Sequence, residues 1–322
     1  MTKTALLRSP RFEGHDTGNH PEHPGRIRAI EAELARSGLL RDRPDLTFGP
    51  SGYEAVLRVH DLGYLDDLEA LWMAGGGPLD GDTIMTPDGW ETALFAAGAA
   101  TRAVDAVIDG EVPSAFALVR PPGHHATPTK AMGFCLLNNA AIAAAHARHR
   151  GAERVAVVDF DVHHGNGTQE AFWERDDIFF ASLHESPWYP GTGLREERGA
   201  GKGEGFTLNV PLPAGTDDRA YLAAFDGEVV PALRAYAPEF IVVSAGFDGH
   251  ARDPLGNFVL SEPGFADIAH RIVQIADECA TGKVVMVLEG GYDVRALARS
   301  VAAVVRVLDG TAPDRAVDEE AP

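Results

Sequence analysis

The sequence predicts one α/β domain of mainly parallel sheet flanked by helices, with an active site at the C-terminal ends of the strands. Three observations carry that prediction. Short apolar runs rich in β-branched and aromatic residues alternate with segments of helical periodicity. The runs are apolar throughout, as strands covered on both faces are. The chemically loaded residues follow directly after the runs, on the sheet edge where open parallel sheets form ligand crevices.

The elements can be justified in chain order. Residues 26–40 and 86–108 have the periodicity of amphipathic helices, with a glycine-rich break at 75–78 between them. Residues 115–119, 154–158, 178–182, 240–244 and 284–288 read as buried strands. Helical segments at 136–150, 218–236, 262–280 and 294–308 fall between or after them, the second with Thr216 or Asp217 as N-cap. No composition shift marks a linker, so residues 1–308 form one catalytic domain. Residues 309–322 carry five acids against one Arg and two prolines, and read as a mobile acidic tail.

Composition narrows the function. With 322 residues, 45% of them hydrophobic, the chain can bury a large core. A formal charge of −20 disfavours a basic patch for nucleic acid or an anionic membrane. No apolar run approaches the ~18 residues that span a bilayer, and the start of the chain lacks a leader-like apolar core. Two distant cysteines, Cys135 and Cys279, form no disulfide framework or paired zinc motif, which fits a reducing cytoplasm.

Four strand ends hold the chemistry. One runs into Arg120-Pro-Pro-Gly-His124-His125, another into Asp159-Phe-Asp161-Val-His163-His164-Gly-Asn166. The others run into Gly246-Phe-Asp248 and Glu289-Gly-Gly-Tyr292. In extended backbone Asp159, Asp161 and His163 share one face, and Asp248 from another strand completes a His/Asp/Asp set with room for water. Zinc suits such a set best, and ferrous iron also fits nitrogen and carboxylate donors. Two carboxylates neutralise a divalent charge, so the bound water is a weaker acid than in a three-histidine site and needs a separate base. His124 and His125 can supply it, with Asp159 or Asn166 holding each imidazole through its other nitrogen. Tyr292 offers a phenol to a carbonyl oxygen gaining charge. Together these groups describe amide or ester hydrolysis.

These motifs resemble the zinc-dependent histone deacetylase superfamily, which includes acetylpolyamine amidohydrolases and shares the arginase-like fold. The resemblance spans residues 5–308 through His20-Pro-Glu-His-Pro-Gly-Arg26, Gly133-Phe-Cys135, Asn138-Asn139, Tyr189-Pro-Gly-Thr-Gly193 and Asn209-Val-Pro-Leu212. It implies Asp161, His163 and Asp248 as zinc ligands, His125 as general base and acid, His124 as electrostatic helper and Tyr292 as carbonyl polariser. Asp159 then pairs with His124 and, with Asp161, His163, Ser182 and Leu183, holds a structural potassium ion. A second potassium would fall around Phe172, Arg175 and Ile178. The resemblance also implies Phe134 and Tyr189 as walls of an acyl-lysine tunnel, Gly133 and Gly291 as its lining, and Arg26 beside an internal channel. Asp82 falls in the entrance-loop region.

Asn166 and the Glu289-Gly-Gly-Tyr292 turn resemble class II enzymes and their bacterial relatives. Leu255 stands where polyamine-specific relatives carry an acidic gatekeeper, which favours acetyl-lysine in a peptide or protein over a small acetylated amine. An acyl-lysine-binding scaffold is disfavoured because the ligands, both histidines and Tyr292 are all present. A two-manganese ureohydrolase would need more ligands than these loops offer. His146 and His149, one helical turn apart without visible acidic partners, read as a solvated face. His20, His23, His164 and His184 read as structural, and Cys135 as packing.

Overall fold

The computed structural model describes residues 3–311. In chain order the elements are β1 (Ala5–Leu7), α1 (Gly25–Arg36), α2 (Tyr53–Val56), α3 (Leu62–Met73), a small hairpin β2 (Gly77–Pro78) and β3 (Ile84–Met85), and α4 (Gly89–Ile108). β4 (Ser114–Ala117), α5 (Asn139–His149), β5 (Val155–Asp159), α6 (Asn166–Phe172), β6 (Ile178–Glu185) and β7 (Thr207–Leu212) follow. The chain then forms α7 (Asp218–Ala224), α8 (Val230–Tyr236), β8 (Phe240–Ala245), α9 (Glu262–Cys279), β9 (Val284–Leu288) and α10 (Val294–Leu308).

Seven strands form one sheet in the order β1-β4-β9-β8-β5-β6-β7. Every neighbouring pair is parallel. Parallel strands bring all their C-terminal ends to one edge. The four loaded loops leave β4, β9, β8 and β5, which are consecutive neighbours, so the sheet order itself assembles the site. β5, β8 and β9 are buried along their whole length, as two-sided cover requires. α4 and α5 lie against β4, β9, β5 and β8, while α1, α10 and α9 pack side by side.

The five expected strands and the long helices are present. Two edge strands, β1 and β7, go beyond the expectation. β1 is three residues long, and β7 carries Pro211, which an edge strand tolerates because it needs no second ladder. The single helix expected over 218–236 is broken by a π turn at Phe225–Val229, just ahead of Pro231. Proline cannot donate to the carbonyl four residues back, and the wider turn absorbs the mismatch. Asp217 is the cap, its side chain accepting from Ala220 N at 2.8 Å. Asp309, expected to open the mobile tail, is instead anchored: it accepts from Thr4 N at 3.1 Å and pairs with Arg43 at 2.6 Å. The rest of that tail, from 312 on, lies outside the described residues.

Beneath the sheet edge runs a buried ion network. Glu22 receives Arg120 through both carboxylate oxygens, at 2.5 and 2.7 Å, and Arg26 at 3.1 Å. Arg120 also donates to the carbonyls of Phe12 and His15, and Arg26 to those of Glu289 and Gly291. Burial pushes the Glu22 carboxyl up, but the two guanidinium groups overcome it and hold it at about 2, below its ordinary 4.5. Removing one partner of such a set strands the other charges. Glu22→Ala should therefore lose about 3–5 kcal/mol in urea unfolding at neutral pH. Because the folded-state pKa is depressed, the contribution of Glu22 is complete above pH 4.5 and is lost as pH falls toward 2. The acid limb of the stability curve should be shallower in Glu22→Gln, and an unchanged limb would contradict the assignment.

Candidate active site

The loop after β5 carries Asp161 and His163, and the loop after β8 carries Asp248. His163 Nδ1 stands 3.1 Å from Asp161 Oδ1 and 3.1 Å from Asp248 Oδ2. The three donor atoms lie within 4.8 Å of one another, and all three residues are buried. No Lys or Arg among the described residues pairs with either carboxylate. Backbone amides aim both acids: Val162 N donates to Asp248 Oδ1 at 3.0 Å, while His163 N and Gly290 N donate to the two oxygens of Asp161, each at 2.9 Å. Two acids and an imidazole converging without a cationic side chain fit a divalent metal ion.

The histidine pair comes from the loop after β4. His124 Nδ1 meets Asp159 Oδ2 at 2.9 Å and His125 Nδ1 meets Asn166 Oδ1 at 2.7 Å, so each imidazole is oriented by one of the two partners the sequence left open. Their rings are 4.0 Å apart, yet their environments push them in opposite directions. Burial disfavours charge on His124, but Asp161 and Asp159 outweigh it and raise its pKa. Burial lowers His125 well below the usual range, and the neighbouring His124 and His163 lower it further. A charged and a neutral imidazole side by side are chemically suited to different tasks, the one to stabilising negative charge and the other to accepting a proton.

Tyr292 follows β9. Burial raises its phenol well above the ordinary value, so the hydroxyl stays protonated and able to donate. The Arg26 guanidinium stacks over its ring at 5.0 Å. These groups open into a cavity of about 220 Å³ lined by Asp82, His125, Gly133, Phe134, His163, Trp188, Tyr189, Leu255 and Tyr292. Phe134 stands edge-on to Tyr292 at 5.7 Å, and Tyr189 edge-on to His125 at 5.1 Å. Gly133 has φ +56°, and a Cβ there would fall 2.4 Å from the His125 ring. Phe134, next in line, holds φ +70°, a conformation costly for a bulky residue. Its amide is fixed by Thr83 Oγ1 at 3.0 Å.

Several expectations need correction. Gly291 turns its carbonyl to Arg26 at 2.7 Å and is absent from the cavity lining, while Gly290 packs against Asp161 and Asp248. His146 has an acidic partner after all, Asp105 at 2.8 Å, delivered from α4 by the tertiary fold. Trp188 was not singled out, yet it lines the cavity and its Nε1 donates to the Leu255 carbonyl at 2.9 Å. An aromatic pair in Ser186-Pro-Trp-Tyr-Pro190 was the available signal. Asp82, loosely placed by sequence, does reach the lining. The histidines read as structural are so engaged: His164 with Thr192 and Gln169, His184 with Ser182 and the Gly193 carbonyl, and His20 with the Asp82 carbonyl. The Cys135 thiol is buried and directed to the Gly133 carbonyl.

Comparison with known proteins agrees with this geometry. Residues 20–308 match the model of the histone deacetylase domain. A probable deacetylase of Archaeoglobus fulgidus is 43% identical over 277 residues, covering 85% of this chain and 77% of that protein. A histone deacetylase-like amidohydrolase of Pseudomonas aeruginosa is 43% identical over 294 residues, 90% of this chain and 77% of the relative. The crystal structure of the HDA15 HD domain superposes with a TM-score of 0.92 at 37% identity, covering 96% of this chain and 90% of that one.

A Cβ at position 290 would stand 2.0 Å from Asp248 Oδ2 and 2.6 Å from Asp161 Oδ2. Gly290→Ala should therefore splay the two acids and weaken divalent metal binding by about 10- to 100-fold, the scale for disturbed ligand support. Competition against a chromophoric chelator measures this, and wild-type affinity would show that the acids do not form the metal site.

Proposed function

The chain belongs to the histone deacetylase family, and on that premise we propose that it is a zinc-dependent amidohydrolase of class II-like type that removes acetyl groups from lysine side chains of peptides or proteins. One observation carries the reading. His125, His163 and Tyr292 open into one narrow cavity whose walls, Phe134 and Tyr189, suit an alkyl chain ending in an amide. A divalent ion held by Asp161, His163 and Asp248 would supply an activated water and a Lewis acid for the amide carbonyl.

The chain's own groups do the rest. Neutral His125, oriented by Asn166, takes the proton from the attacking water at Nε2 and returns it to the leaving lysine amine. Charged His124, held by Asp159, stabilises negative charge beside it. The Tyr292 hydroxyl donates to the carbonyl oxygen as that oxygen gains charge. Asp159, Ser182 and Leu183, on the paired ends of β5 and β6, would hold a potassium ion together with Asp161 and His163, and a second would be held around Phe172, Arg175 and Ile178. Arg26, whose guanidinium lies over the Tyr292 ring, would stand beside an internal channel. The two unpaired cysteines suit the cytoplasm, and among the described residues no helix is long and apolar enough to cross a membrane.

Acetylpolyamine hydrolysis is the second reading, favoured by one observation: Asp82 is among the residues lining the cavity, where its charge would attract a distal ammonium. Leu255, also in the lining, carries no charge and favours acetyl-lysine. The zinc-loaded enzyme should show its higher kcat/KM on acetyl-lysine peptides. A value about tenfold or more higher on acetylated spermidine or putrescine, roughly 1.4 kcal/mol of transition-state binding, would install the second reading.

The split environments of the two histidines give another outcome. His125→Ala should lower kcat by roughly 100-fold or more, the scale for a lost general base. His124→Ala should lose less, and the opposite ranking would exchange their roles.

A further inference from the structure

The loop after β8 carries an acid that no step above uses. Asp253 is half-buried, and three backbone amides from two loops end on its carboxylate. Oδ1 accepts from Leu255 N at 3.0 Å, whereas Oδ2 accepts from Tyr292 N at 2.6 Å and Asp293 N at 3.2 Å. Toward solvent the connection continues, because the Trp188 indole donates to the Leu255 carbonyl at 2.9 Å. The rim of the cavity and the backbone of Tyr292 are thus joined through one side chain.

The turn from Glu289 to Tyr292 needs such a hold. It lies between β9 and α10: Glu289 N donates to the Ala245 carbonyl and Phe247 N to the Gly290 carbonyl, but residues 291–293 belong to no strand or helix, and the two glycines ease rotation there. Arg26 fixes the carbonyls of Glu289 and Gly291. The amides of Tyr292 and Asp293 are fixed by Asp253, and Asp293 then caps α10 by accepting from Ala296 N at 2.9 Å. The direction of the Tyr292 side chain follows from the peptide that Asp253 grips, and an oxyanion donor loses effect when displaced by about 0.5–1 Å.

We propose that Asp253 is a positioning residue that locks Leu255 and Tyr292 into one unit, so that its carboxylate acts on turnover through the Tyr292 hydroxyl. The inference rests on the reading of Tyr292 as donor to the substrate carbonyl. A bland alternative exists: Asp253 merely closes its own turn onto Leu255 N, a bond that asparagine makes as well. The two differ because asparagine has one acceptor oxygen. Whichever way its amide is turned, Asp253→Asn sets an NH2 group against either the Leu255 amide or the pair at Tyr292 and Asp293.

A double-mutant cycle with zinc-loaded enzyme and an acetyl-lysine peptide decides between them. Asp253→Asn should lower kcat by about tenfold with KM within about twofold, because the effect falls on the transition state. Tyr292→Phe should lower kcat by roughly a hundredfold. In the double variant kcat should stay within about twofold of Tyr292→Phe alone, since without the hydroxyl there is nothing left to position. The same proportional loss in both backgrounds, a loss borne by KM, or wild-type kinetics in Asp253→Asn would overturn the inference while leaving the role of Tyr292 intact. Near-wild-type turnover in Tyr292→Phe would remove that role and this inference with it. Should Asp253→Asn not fold, Asp253→Ser, smaller and with room for water, carries the same cycle with the same outcomes.

Discussion

Two carboxylates and an imidazole are buried with donor atoms within 4.8 Å of one another, and among the described residues no guanidinium or ammonium pairs with them. Much of the surrounding structure depends on that constraint. Burying one ionised acid costs several kcal/mol even after relaxation, and a second beside it adds repulsion. Burial and the neighbouring Asp161 both raise Asp248. Burial raises Asp161 as well, but His124 and His163 outweigh it and hold that acid low; a divalent cation would keep both acids ionised together. The neighbouring order of β5, β8 and β9 brings the two acids and Gly290 together, and the missing side chain at 290 leaves them room.

The loops around this centre are held by a repeated device, a buried or half-buried acid receiving backbone amides from irregular segments. Asp159 accepts from Asp161 N, Asp161 from His163 N and Gly290 N, Asp248 from Val162 N, and Glu185 from Asn257 N. Glu289 accepts from Gly123 N at 2.6 Å and His124 N at 3.1 Å, which ties the histidine turn to the Tyr292 turn. Loops without a ladder must satisfy their amides somehow, and a charged acceptor does so strongly. Much of what looks like catalytic acidity at these strand ends is therefore scaffolding, Asp161 and Asp248 included.

The central strands and the loaded loops were legible because burial on both faces writes an unbroken apolar run, and the polar residues after it stand out. The pairings of His124 with Asp159 and His125 with Asn166 were legible too, each as one of two alternatives that the fold then resolved. What escaped depends on contacts between distant segments. Both carboxylate oxygens of Glu22 take their closest partner from Arg120, 98 residues away, and His146 takes its acid from Asp105, 41 residues away. Edge strands escaped for another reason: three apolar residues in β1 and a proline in β7 fall below what periodicity can register. Asp253 reads in sequence as an ordinary turn acid, and only the approach of Tyr292 gives it a second task.

The account stands or falls on where the cation sits. Anomalous diffraction from zinc-loaded crystals, recorded on both sides of the zinc absorption edge, locates it without reference to turnover. The account predicts one strong peak bounded by His163 Nδ1 and a carboxylate oxygen from each of Asp161 and Asp248, lost in Asp248→Ala crystals. Zinc bound elsewhere, or an empty trio in a preparation that hydrolyses acetyl-lysine at full rate, would contradict it.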